Sequence, residues 1–129
     1  MVRALPYRKI VMNAIVAFFI YGTWAYAAND VGAEVSAVTQ GSMSFAITVI
    51  LATYLEIVHR LSKNLKQLAA YVAIWFAVVM GMQALIHYEV GTEHIFLTLL
   101  PGMIIGTVYM VGYLLQLHKT DMAHNKDRE

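Results

Sequence analysis

Cysteine is absent from this 129-residue chain. That removes disulfide frameworks, thiolate metal clusters and cysteine nucleophiles together. Charge is scarce too: Asp, Glu, Lys and Arg make up 13% of residues, where a soluble domain carries roughly a quarter. The formal balance is +1, so bulk charge offers nothing to a nucleic-acid backbone. Intrinsic disorder is excluded, because it needs low hydrophobicity and high charge. Proline occurs only at Pro6 and Pro101. What fills the chain instead is apolar, at 60% of residues. A water-exposed globule this small has too much surface for its volume to hide that fraction.

The apolar residues fall into four runs, about 10–28, 37–58, 68–86 and 95–117. Each is long enough for the ~20 residues that a bilayer core requires. Glu56 is the single formal charge inside them. The runs are continuous rather than alternating and exceed the roughly 10 residues of a barrel strand, so helices are expected. The nine basic residues then choose an orientation. Arg3, Arg8 and Lys9 precede the first run, Arg60, Lys63 and Lys66 separate the second from the third, and Lys119, Lys126 and Arg128 follow the fourth. Segments 29–36 and 87–94 hold none, but carry Asp30, Glu34, Glu89 and Glu93. Basic flanks mark the cytoplasmic side. The expectation is an all-α, integral-membrane four-helix bundle in one domain. Its connectivity is up-down, both termini are cytoplasmic, and a polar tail over 118–129 frays beyond Lys119.

Aromatics agree with this placement. Tyr7, Tyr54, Tyr71 and Tyr113 fall near the cytoplasmic boundary, and Trp24, Tyr26, Tyr88 and Phe96 near the outer one. A rival for the first run is a cleavable signal peptide, since the basic start, apolar run and Ala25-Tyr26-Ala27 suit an A-x-A site. Locally, Asn64 with Gln67 three residues later reads as a helix cap. Gly32 and Gly91 suit tight turns.

Polar residues inside the runs are the candidates for chemistry. Ala37, Gln40, Gly41, Ser44 and Thr48 share one face of the second helix. Hydroxyls and amides avoid lipid, so this face points at protein or at a wet path. Close helix packing around Gly41 is the plainer use. The sharper one is a ligand path lined by Tyr21, Trp24, Gln40, Ser44, Thr48 and Glu56, with Tyr21, Trp24 and Gln40 at its outer mouth. Asn13 lies on the same face of the first helix as Tyr21, at the opposite depth from Gln40. Glu56 precedes Arg60 by four residues, the favourable order for a helix ion pair. Pro101 frees the carbonyl of Leu97 and predicts a kink or hinge. Gly102 and Gly106 form a G-x-x-x-G pattern that fits packing against the second helix or a contact between copies. Four helices leave little room for a private aqueous path, so transport would call for an oligomer.

His87, Glu93 and His94 in the third connection are weak metal candidates, because no HxxxH or HExxH spacing supports them. No G-x-S-x-G, P-loop or dinucleotide fingerprint occurs, and no enzyme or cofactor is expected. Length and span count match those of small multidrug transporters, but the deep acid of their first helix is missing here. Thr39-Gln40-Gly41-Ser42-Met43-Ser44-Phe45 reads as a signature without a family attached. The functional expectation is a non-catalytic accessory or structural component of the inner (cytoplasmic) membrane. It binds a membrane partner or lipid, in a homo-oligomer or larger complex. The alternative is a small homo-oligomeric transporter or lipid-carrier flippase.

Overall fold

The computed structural model describes residues 6–128; Arg3 and Glu129 lie outside them. The described residues form four helices and no strands: α1 Tyr7–Ala28, α2 Ala33–Leu61, α3 Leu65–Glu89 and α4 Ile95–Lys126. All four are long and apolar enough to cross a membrane. A chain in lipid has no water to satisfy its backbone, and a helix solves this within one segment. The helices run past the apolar runs into polar flanks. The expected frayed tail is instead the last turns of α4, which continue to Lys126. Neither proline nor glycine follows Gly112, so nothing in the chain breaks the helix there.

The ends of the helices are set locally. Asn64 caps α3 by accepting from the Gln67 backbone N–H at 2.8 Å, and the Gln67 side chain accepts from the Lys63 N–H at 2.8 Å. This is a near relative of the capping box. Gly32 and Gly91 hold φ of 67° and 74°, the left-handed conformation that each tight turn requires. Asn29 closes α1 by donating from Nδ2 to the carbonyl of Ala25 at 2.8 Å.

Consecutive helices pack antiparallel. Gly22 of α1 lies against Ala37 and Gly41 of α2, and Gly41 lies against Phe18. A Cβ on Gly41 would sit 2.9 Å from the Phe18 carbonyl oxygen. Small residues therefore bring these two backbones into contact. Gly102 and Gly106 find a different partner from the expected one. They face Met80 and Phe76 of α3, not α2. The bulky Phe76 ring needs a notch, and Gly106 provides it: a Cβ there would lie 2.9 Å from that ring.

At the end holding the α2–α3 turn, Leu55, Val58, Leu68 and Val72 form an apolar core, with Tyr54, Tyr71 and Tyr113 packed around it. Tyr54 donates to the Tyr71 carbonyl at 2.7 Å and stacks on Trp75 with centroids 4.5 Å apart. These tyrosines, expected at the boundary, serve as packing residues. Outward, the bundle is greasy: Ile74, Val78, Met82 and Leu85 make an exposed stripe along α3. The largest fully buried side chains are all polar, namely His87, Gln40, Thr98 and Ser36. Polar inside and apolar outside is the reverse of a water-soluble globule and suits a lipid surround.

Candidate functional site

The polar layer lies at the end holding the 29–32 and 90–94 turns. His87 is its centre and is fully buried. Its Nε2 lies 2.7 Å from Gln40 Oε1, and its Nδ1 lies 2.6 Å from Thr92 Oγ1. An amide oxygen only accepts, which assigns the ring proton to Nε2. Nδ1 then accepts from the Thr92 hydroxyl, and the Ser36 hydroxyl donates to Thr92 at 3.1 Å. Gln40 Nε2 donates onward to Gln83 Oε1 at 3.1 Å and to Ser44 Oγ at 3.3 Å. One connected set of hydrogen bonds thus joins α2, α3 and the turn after α3.

A second cluster ties α1 to α4. Asn29 Nδ2 donates to Thr98 Oγ1 at 2.7 Å, and Asn29 Oδ1 accepts from the His94 backbone N–H at 2.8 Å. Trp24 Nε1 donates to the Leu97 carbonyl at 2.8 Å. That carbonyl is the one Pro101 leaves without an intrahelical donor. Outside the helices, Glu93 Oε2 accepts the backbone N–H groups of Val31 at 3.0 Å and Asp30 at 3.1 Å. Those two bonds hold the Glu93 carboxyl below the usual carboxylate range, with His94 adding a small pull in the same direction.

Below the polar layer the four helices enclose a cavity of about 450 Å³. Its polar end carries Tyr21, Gln40, Ser44 and Gln83, and Thr48 lies one turn further along α2. The walls are Ile47, Val79, Met80, Phe76 and the Gly102/Gly106 face, and Trp75 and Tyr113 lie toward the other end. No Asp, Glu, Lys, Arg or His is among the lining residues. The expectation that four helices leave little interior room is therefore corrected. Glycines at positions 102 and 106 and small residues at 17, 44 and 52 face the axis, so side chains fill it incompletely.

The structure brings Tyr21, Gln40, Ser44 and Thr48 together at this cavity. It separates Trp24 and Glu56 from them. Trp24 turns to α4 and is 40% exposed. Glu56 is on the outside, paired with Arg60 Nη2 at 2.6 Å. An exposed i,i+4 pair satisfies the carboxylate without any need for the interior. The suggested metal cluster also divides. His87 has both ring nitrogens hydrogen-bonded inside the bundle, while Glu93 and His94 stay on the surface. Among the described residues no group of three or more His, Cys, Asp or Glu side chains converges.

Sequence reasoning passed over Gln83, an amide in the middle of an apolar helix and four residues before His87. That spacing places both on one face and was the available signal. Asn29, Ser36, Thr92 and Thr98 were hidden because each lies at a helix end, where polar residues are ordinary. Comparison with known proteins adds no relative: no family model, no curated protein and no solved structure matches the chain.

Proposed function

We propose that this chain is a non-catalytic, multi-pass component of the inner (cytoplasmic) membrane whose cavity holds a lipid-like molecule. The observation that carries the reading is the cavity itself: uncharged, with its densest polar groups at one end and a largely apolar wall beyond them, broken by Asn13, Thr48, Tyr109 and Tyr113. Few convergent polar groups above an apolar chamber are the usual form of a small-molecule site. The lining hydroxyls of Ser44, Thr48 and the tyrosines have no Asp, Glu, Lys or His beside them in the lining to activate them. The basic residues of the flanks support an orientation with both termini in the cytoplasm and the polar layer toward the outer leaflet. Helix α1 is kept in this reading, because Gly22 and Gly41 seat it against α2 at backbone contact. Association with further copies or another membrane protein would use the exposed apolar stripes, such as that on α3.

Native mass spectrometry of the full chain from mild detergent tests the reading. It predicts a retained lipid-sized adduct that is lost in Gly106→Leu, which would crowd the cavity wall. A folded protein without any adduct refutes it. A reporter fused after Glu129 should be cytoplasmic, and a periplasmic signal would overturn the orientation.

Transport is the second reading, favoured by the row of Gln40, Ser44 and Thr48 along one cavity wall. A proton-coupled transporter needs a proton-exchanging group on its route, and Glu56 stands off it. Cysteine labelling at Ser44 and Thr48 separates the readings. Aqueous reagent reaching both positions supports a wet path, whereas protection supports a lipid-filled chamber.

A further inference from the structure

The amide of Gln83 is half used. Its Oε1 accepts from Gln40, but its Nε2 has no hydrogen-bond partner among the described residues. Gln83 is 3% exposed and lines the cavity. Among the described residues no sealed side-chain nitrogen or oxygen lacks a partner, so the open edge of this amide is the one facing the chamber. Two N–H donors facing this chamber call for an acceptor, since a polar group taken from water and left unpaired is destabilising. The hydroxyls of Ser44 and Tyr21 stand at the same end.

The lining also says what the acceptor is not. It holds no charged residue, so neither a phosphate nor an ammonium would find a counter-ion, and burying an unpaired charge is strongly unfavourable. Access gives a further restriction. The exposed lining residues are Asn13 on α1 and Ile105 and Tyr109 on α4. The side-chain bonds between these two helices, from Trp24 and Asn29, are all at the polar end. The chamber therefore opens sideways between α1 and α4, toward the bilayer.

We propose that the cavity binds an uncharged amphipath bearing a carbonyl oxygen, which enters from the bilayer between α1 and α4 and accepts from Gln83 Nε2. The chemistry is shared by a prenylated quinone ring and by the ester of a neutral glyceride. The proposal rests on the reading of the chain as a lipid-embedded binding protein and names its ligand class.

Trp75 lines the cavity and Trp24 does not, so Trp24→Phe leaves one reporter tryptophan in the chamber. The full chain carrying this change, in phosphatidylcholine nanodiscs, is titrated with decylbenzoquinone, a quencher. Saturable quenching is expected. Gln83→Leu should weaken it about tenfold, the equivalent of one hydrogen bond. Tyr21→Phe, which keeps its volume, supplies a second probe should Gln83→Leu unfold, and should weaken binding several-fold with unchanged helical circular dichroism. Monoolein and phosphatidylglycerol are then added as competitors. Displacement by monoolein assigns the glyceride arm, and saturable quenching that monoolein leaves unchanged assigns the quinone arm. Displacement by phosphatidylglycerol at equal concentration overturns the uncharged class while leaving lipid binding intact. Non-saturable quenching, equal in every folded variant, together with no adduct in the mass spectrum, sinks both the ligand class and the binding reading.

Discussion

Replacing Gln40 by leucine tests whether the polar layer holds the bundle together. Gln40 makes three hydrogen bonds, at 2.7 Å to His87, 3.1 Å to Gln83 and 3.3 Å to Ser44. Side-chain bonds between helices in membranes average about 0.6 kcal/mol, so the two shorter ones are worth about 1.2 kcal/mol. Leucine also orphans two groups. Gln83 borders the cavity and can turn its oxygen into it. His87 is fully enclosed, and its ring N–H cannot escape. One such orphan adds about 1–3 kcal/mol, for a total of about 2–4 kcal/mol. The measurement is unfolding in mixed micelles with increasing dodecyl sulfate. The double variant Gln40→Leu with His87→Leu removes the orphan along with its partner, so its loss should fall short of the summed single losses by about 1 kcal/mol or more. A Gln40→Leu loss under about 0.5 kcal/mol, or strict additivity in the cycle, would show that these bonds contribute little beyond contact.

Glycine substitutions should split by location. Gly41→Ala drives a methyl into the Phe18 backbone and should cost about 1–3 kcal/mol in the same assay, while Gly81→Ala meets open space and should stay neutral or gain up to about 1 kcal/mol. Trp24→Phe should destabilise by about 0.6 kcal/mol through the orphaned Leu97 carbonyl. Pro101→Ala restores a backbone donor to that carbonyl, so it should shrink the Trp24→Phe loss; an unchanged loss would refute the pairing. The Glu93 clasp should depend on pH. Its folded pKa is lowered, so its contribution is full above the ordinary carboxylate value of about 4.3 and disappears as pH falls through the lower folded value. Hydrogen-exchange protection at Asp30 and Val31, corrected for intrinsic rates, should drop in that acid window for the native chain and stay flat in Glu93→Gln.

Much of this architecture was legible because the signals are local or periodic. Four apolar runs become four helices, Asn64 and Gln67 cap α3, and Gly32 and Gly91 take left-handed turns. The Glu56–Arg60 pair follows from spacing along one helix. The candidate site was legible only in half. Gln40, Ser44 and Thr48 announce a polar face, but a face does not name what it meets. His87 was read with the surface groups beside it in sequence, Glu93 and His94. Being one turn inside the helix end turns it to Gln40, 47 positions away along the chain.

By itself, the sequence determined the helices, their number and their apolar character, because each depends on composition and spacing within a single segment. Which helix the Gly102/Gly106 face would meet, the capture of the Leu97 carbonyl by Trp24 and the free edge of Gln83 were decided only in three dimensions. The physical reason is that these are differences between partners. A buried polar group accepts any suitably placed donor or acceptor, and a glycine notch accepts any ring of the right size. Only the rotation and height of each helix in the packed bundle select among them. The cavity is the clearest case: it exists because several small side chains on separate helices happen to face one axis at one level.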